Sequence, residues 1–407
     1  MLQDLQARCA ELGRVDVILI GGDIAYQADP LEYQAARTWI DDLIARCNCP
    51  LERVYMVPGN HDIARDVIKH ERSIQNAHRT INQQPLNRRS KELMDQLTDG
   101  AVGHTLFAPL AAYNEFAKAF NCQVYPTKLF WKENLSLRED VTLRIHGLTS
   151  TILSGAVNAA GGQDDARDSL FLSDWQMVFD PADNVVNAVI SHHPPDWFAD
   201  HEAVEDSVRG RTSLQFFGHR HRQGNIRDPQ YMRFEAGALN PDRNELEWHP
   251  AYNLIQLSVE GEGAARELLI SAHFMTWQNA KPERYINVVD TTGSAVWKHR
   301  IAIPGTKKAD TSAAALPTSD VPGTATVTSV AEVQEITMNE LSTRRLVTRW
   351  WRLPMNARRD IALGLGLIVD AEIALPEPER YGLALSRAGE RNQLAELTRE
   401  VEKWEKQ

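Results

Sequence analysis

The sequence predicts an α/β domain followed by a small all-α domain. Three observations carry that expectation. Short β-branched runs alternate with amphipathic stretches over residues 1–62. Strand-like runs dominate from Lys128 to Ile303. Residues 333–407 then read as helix alone, after a stretch of small and turn-forming residues.

Taken in order, Leu2 to Leu12 is apolar at helical spacing, and Val15 to Ile20 is a strand that ends in Gly21-Gly22. A second helix starts after Pro30 and runs through Glu32–Cys47. Arg53 to Val57 is the next strand. Apolar runs between helices are the pattern of strands buried in a layered sheet. Residues 63–122 change character and read as an insertion of polar, interrupted helices. Strands resume at Lys128–Leu137, Val141–Leu148, Asn184–Ser191, Ser213–Gly218 and Tyr231–Gly237. Four more follow at Asn253–Glu260, Arg266–Phe274, Arg284–Val289 and Ala295–Ile303, so residues 1–303 form one large domain.

Residues 304–332 are rich in Ala, Thr, Ser, Pro and Gly and contain no aromatic residue. Such a segment buries too little apolar surface to fold, and it reads as a linker. The helical end has Leu341, Leu346, Trp350, Ile361 and Leu365 as its expected core. Its last helix offers Leu394, Leu397, Val401 and Trp404 on one face.

Composition excludes several classes. With 43% hydrophobic and 24% charged residues the chain is an ordinary globular protein. A net charge of −11 argues against a surface that coats nucleic acid as a whole, while leaving room for a local basic groove. Four cysteines make no disulfide framework, and Cys47 and Cys49 read as reduced, structural residues at a helix end. The N-terminus has no apolar signal region, and the apolar stretch Ile361–Val369 is far too short to span a membrane. The expected location is the cytoplasm, with no membrane partner.

Four clusters follow strands: Gly22-Asp23, Gly59-Asn60-His61-Asp62, His192-His193-Pro194-Pro195 and Gly218-His219-Arg220-His221. A lone Gly-Asp after a strand is weak. All four, in order and each at a carboxyl end, are strong, because open α/β sheets gather ligands in that crevice. Imidazole, carboxylate and amide donors without thiolates suit Mn, Fe, Zn or Ni. Two such ions, bridged by one carboxylate, activate water and clamp a phosphoryl group.

These blocks resemble the calcineurin-like metallophosphoesterase superfamily, whose pattern runs D-x-H, G-D, G-N-H-[DE], H and G-H-x-H. The likeness spans roughly residues 1–240 and implies a two-layer β-sandwich flanked by helices. It implies that Asp23 bridges two divalent ions, with Mn²⁺ the expected metal. Asn60, His192 and His219 complete one ion, and His221 serves the other. His61 contacts the phosphate and assists the leaving oxygen, oriented by Asp62. His193 is expected to be structural, and His146 a core or surface residue. The D-x-H block is missing from this sequence, so two ligands of the His221 ion are absent. The expectation is a true start upstream of Met1; the other reading is a degenerate protein that holds one ion.

The implied activity is hydrolysis of a phosphoester, mono- or diester, with a nucleotide or nucleic acid among the possible substrates. A binding or regulatory module that uses the fold without strong catalysis is the second reading. Basic residues of the insertion, among them Arg65, Lys69, Arg72, Arg79, Arg88, Arg89 and Lys91, either steer an anionic substrate or form a solvated face. The insertion is expected to narrow the entrance, which favours a small or single-stranded substrate. The helical end, with Trp350 and Trp351 and with Arg344, Arg345, Arg349, Arg352, Arg358 and Arg359, resembles small adaptor domains that recruit a protein partner. At least one of the two tryptophans is expected to be exposed or in an interface.

Overall fold

The computed structural model describes residues 1–157, 162–240, 249–279 and 281–305, and toward the C-terminus 346, 349–350, 353, 355–369, 372, 377–391 and 393–405. The chain divides into two compact units, Met1–Ala313 and Ala314–Gln407. Most of the expected linker, and Leu341, Arg344, Arg345, Trp351 and Arg352, lie outside the described residues.

The first unit opens with helix α1 (Leu2–Leu12), strand β1 (Ile18–Ile20), helix α2 (Pro30–Cys47) and strand β2 (Val54–Met56). Strands β1 and β2 pair in parallel, Leu19 opposite Tyr55. Helix α2 starts as a capped helix should, with the Asp29 side chain accepting the N–H of Leu31 and Pro30 in its first turn. It ends at Asn48, which adopts the left-handed conformation at φ 52°. Cys47 and Cys49 are buried and unbridged there, and burial pushes the Cys49 thiol up to about 12. Both behave as packing residues.

The insertion folds as five helices: Arg65–His70, Arg72–Gln83, Leu86–Thr98, Gly100–Phe107 and Ala111–Ala117. In Arg72–Gln83 the buried positions are Ile74, Ala77, His78 and Ile81, one stripe at helical spacing. His78 therefore belongs to the core. Several of the basic residues pair locally: Arg65 with Asp164 at 3.1 Å, and Arg89 with the Gln84 and Asn82 carbonyls.

Two sheets follow. The larger has six strands: β3 (Phe130–Arg138), β4 (Val141–Leu148), β5 (Val185–Ser191), β6 (Leu214–Phe217), β8 (Met232–Glu235) and β7 (Gly224–Arg227), in that order. Strands β4, β5, β6 and β8 are mutually parallel, and β3 and β7 close the edges antiparallel. Strand β7 was not anticipated, because Gly224–Arg227 is polar and half exposed, as an edge strand is allowed to be. The second sheet is antiparallel: β9 (Ala251–Glu260), β10 (Glu267–Gln278), β11 (Arg284–Asn287) and β12 (Trp297–Ala302).

One core joins both sheets to the insertion: Leu214, Met232 and Phe234 of the first sheet pack with Leu268, Ile270 and Phe274 of the second. The Phe234 and Phe274 rings lie 6.1 Å apart. The outer face of the six-stranded sheet is covered by helix α8 (His201–Arg211), through Val204 and Val208 over Val189 and Phe217. This is the layered α/β arrangement expected of the first domain.

The second unit contains helices Met355–Gly364, Glu377–Glu390 and Leu394–Glu405. Leu346, Trp350, Ile361, Leu397 and Val401 are buried in its core, with Leu365, Leu394 and Trp404 partly buried around it. Trp350 is fully buried, edge-on to Tyr381 at 6.0 Å. Arg349 pairs with Glu402 at 3.2 Å, and Arg358 is buried over the Tyr381 ring. No helix among the described residues is long and apolar enough to cross a membrane.

Candidate metal centre

The four clusters leave the carboxyl ends of β1, β2, β5 and β6, parallel strands in two sheets, and meet at one point. They meet because the loops touch backbone to backbone. A Cβ on Gly59 would lie 2.1 Å from Asp23 Oδ1, and one on Gly22 would lie 2.6 Å from His192 Nδ1 and 2.7 Å from the Gly59 nitrogen. Gly22 also has φ 96°, which side chains resist. Gly22 and Gly59 are thus spacers that let these side chains converge.

Asn60 Oδ1 lies 3.0 Å from His192 Nε2 and 3.1 Å from His219 Nδ1. His192 Nε2 is 3.2 Å from His219 Nδ1 and 3.4 Å from Asp23 Oδ2. His192 Nδ1 donates to the Gly21 carbonyl at 2.7 Å, so in the neutral ring Nε2 carries a lone pair. His192 Nε2 thus lies 3.0–3.4 Å from Asn60 Oδ1, His219 Nδ1 and Asp23 Oδ2. Asp23 Oδ2 is buried and has no hydrogen bond. A cation satisfies this arrangement: donors 2.0–2.2 Å from one ion stand about 3.0–3.5 Å from each other. The residues present fit a divalent ion.

Electrostatics point the same way. Burial alone would raise the Asp23 carboxyl, but His192, His221 and the His61 N–H bring it well below the usual carboxylate range. Burial, with His193 and His192 beside it, pushes His219 down to about 2 and keeps it neutral. His221 Nε2 lies 3.8 Å from Asp23 Oδ2 on its opened side. Asp23, His219 and His221 all hold positive φ, at 54°, 66° and 53°. Strain of that kind persists where surrounding structure enforces it and clusters at functional sites.

His61 stands beside this group. Its N–H donates to Asp23 Oδ1 at 3.0 Å. Its ring donates from Nδ1 to the Tyr26 carbonyl at 2.9 Å and stacks on the Tyr26 ring at 5.0 Å. The Asp62 contact expected for His61 is replaced by these. The Asp62 carboxylate is fully buried and accepts from the N–H groups of Ile24, Ala25 and Gly59 and from the Tyr33 hydroxyl at 2.9 Å. Asp62 therefore ties the Gly-Asp loop to the Gly-Asn-His-Asp loop, because its side chain points into those loops and away from the His61 ring.

His193 is fully buried, with Nδ1 2.9 Å from Ser150 Oγ and Nε2 3.6 Å from Asp165 Oδ2. Even so, His192, His193 and His219 form a group whose ligating atoms lie within 4.8 Å of one another. Trp197 stands edge-on to His219 at 4.0 Å. Tyr26, Tyr33, Ser150, Asp165 and Trp197 escaped the sequence reading, since none sits in a strand-end motif. His146 is a core residue, 3.4 Å from Asn187 Oδ1.

Residues 1–223 match the family described as calcineurin-like phosphoesterase. The chain belongs to that family. Within the calcineurin-like phosphoesterase fold, the G-D, G-N-H-D, H and G-H-x-H blocks are the ones that build the cluster above. Residues 342–403 match the GTPase-associated adaptor domain. A 2.05 Å crystal structure of a protein described as a 5'-nucleotidase from Staphylococcus aureus, in complex with alpha-ketoglutarate, aligns with 11% identity and a TM-score of 0.29. The alignment covers 75% of this chain and 49% of that one, so the chain spans about half its length. Among curated proteins none matches.

Proposed function

We propose that this phosphoesterase hydrolyses phosphoesters at a divalent-metal centre formed by Asp23, Asn60, His192 and His219, with His221 and Asp23 serving a second ion. The convergence of Asn60 Oδ1, His192 Nε2, His219 Nδ1 and Asp23 Oδ2 carries this reading. Ions bound there would supply Lewis acidity toward the phosphoryl oxygens and an activated water.

The chain's own groups set up the rest. Asp62 holds the two ligand loops in register, and Gly21 fixes the His192 tautomer. Tyr26 holds His61 from its carbonyl and its ring, so that Nε2 is the nitrogen left for the substrate. Protonated, His61 donates from Nε2 to a phosphoryl or leaving oxygen while Nδ1 stays on Tyr26.

In this reading the C-terminal domain recruits a protein partner, in keeping with its match to an adaptor domain. The deciding experiment is turnover of p-nitrophenyl phosphate and bis(p-nitrophenyl) phosphate with added Mn²⁺. Hydrolysis of either ester that Asp23→Ala abolishes supports the reading. A chain that takes up Mn²⁺ and cleaves no phosphoester would favour the binding module.

A further inference from the structure

Three rings pack on the ring of His219: Trp197 at 4.0 Å, His193 at 4.5 Å and His192 at 5.1 Å between centroids. His219 also holds φ 66°, a conformation that its surroundings have to enforce. Of the three, His193 belongs to no ligand set proposed above, yet it is fully buried and tied at both ring nitrogens. The Ser150 hydroxyl accepts the His193 backbone N–H at 3.2 Å and lies 2.9 Å from His193 Nδ1. Having accepted that N–H, the hydroxyl has its own proton to give to Nδ1, which assigns the ring proton of neutral His193 to Nε2. That nitrogen faces Asp165 Oδ2 at 3.6 Å, both atoms buried and neither with a closer hydrogen bond. Asp165 is set in turn by the Gly155 N–H, which its Oδ1 accepts at 3.0 Å. An apolar ring would fill the same space without the cost of burying an imidazole and a carboxylate. What the polar groups add is a fixed ring orientation beside His219.

We infer that Ser150 and Asp165 hold His193 as a positioning residue for His219. The locked His193 ring and the Trp197 edge keep His219 Nδ1 where it stands, 3.1 Å from Asn60 Oδ1 and 3.2 Å from His192 Nε2. If the His193 ring turns, that nitrogen loses its support and the donor set opens. Outer groups that orient a ligand are worth about 10–100-fold in metal affinity. The inference rests on the metal-centre reading, and metal binding tests it without turnover.

The test is calorimetric titration of the intact, EDTA-treated chain with Mn²⁺, together with the visible absorption spectrum of the Co²⁺-loaded chain. Ser150→Ala and Asp165→Asn are each expected to weaken Mn²⁺ binding about tenfold or more and to shift the Co²⁺ bands. Urea midpoints of the metal-free variants show that each is folded, and one folded variant suffices to decide. A merely structural group would lower the midpoint and leave the metal alone. Parent-like Mn²⁺ affinity and an unshifted Co²⁺ spectrum, whatever the loss of stability, would therefore overturn the inference while the metal centre stands. A parent chain that takes up neither ion would overturn the metal-centre reading, and the inference with it.

Discussion

Asp23 Oδ1 accepts the backbone N–H of His61 at 3.0 Å, while its Oδ2 points at His192 Nε2 from 3.4 Å. One carboxylate thus performs two tasks. One oxygen locks the loop that presents His61, and the other is left bare toward the imidazoles. Because the two oxygens are committed differently, the residue cannot be replaced by one that keeps only half of it.

Asp23→Ala is expected to lose bound metal and all measurable turnover, because the remaining donors hold an ion on one side only. Metal content by mass spectrometry and hydrolysis with Mn²⁺ check this together. Retained metal and turnover would refute the assignment of Asp23.

His61→Ala should keep its metal, since the His61 ring lies on Tyr26 rather than on the ligand cluster. Turnover should fall by about 10²–10⁴, the scale of a lost acid or charge-stabilising group. If metal is lost as well, the ring is a ligand.

Gly59→Ala places a methyl group 2.1 Å from Asp23 Oδ1 and 2.3 Å from the Asp23 nitrogen, and backbone on that side cannot swing away. We expect a stability loss of about 1–3 kcal/mol and loss of metal binding. Denaturant midpoints and metal content of the variant measure the two effects separately.

Burial pushes His78 and His146 down to about 4. Both are neutral in the folded chain and take up a proton on unfolding below the ordinary value near 6.5. Their contribution to stability is complete above about pH 6.5 and is lost as pH falls toward 4, by about 1.4 kcal/mol per pH unit per group. His78→Leu should lower the number of protons absorbed on unfolding at pH 5 by close to one. An unchanged slope of urea midpoint against pH would show that His78 is not buried as described.

Trp350→Ala should remove about 3–5 kcal/mol from the C-terminal unit, because the ring is fully buried against Tyr381 and the helices around it. Turnover of a small ester should stay within a few fold of the parent. Near-ultraviolet circular dichroism and a phosphoesterase assay on the same sample read the two outcomes.

The sequence by itself determined the strand-end motifs, the helices and the family. Each motif is a run of adjacent residues, and hydrophobic period is a local property of the chain. The loops that carry Asp23, Asn60, His192 and His219 could be picked out because each follows an apolar strand, and the resemblance to the family pattern pointed to those four residues within them. Only the tertiary structure decided what surrounds them. Tyr26 meets His61 across 35 residues, Tyr33 meets Asp62 across 29, and Ser150 meets His193 across 43. The role of Asp62 moved from His61 to the loop amides for the same reason: local spacing says which residues are neighbours in the chain, while packing says which way a side chain turns. The shared pairing of Arg167 and Arg220 with Asp196 was likewise not legible in the sequence, because the fold alone brings these three residues together.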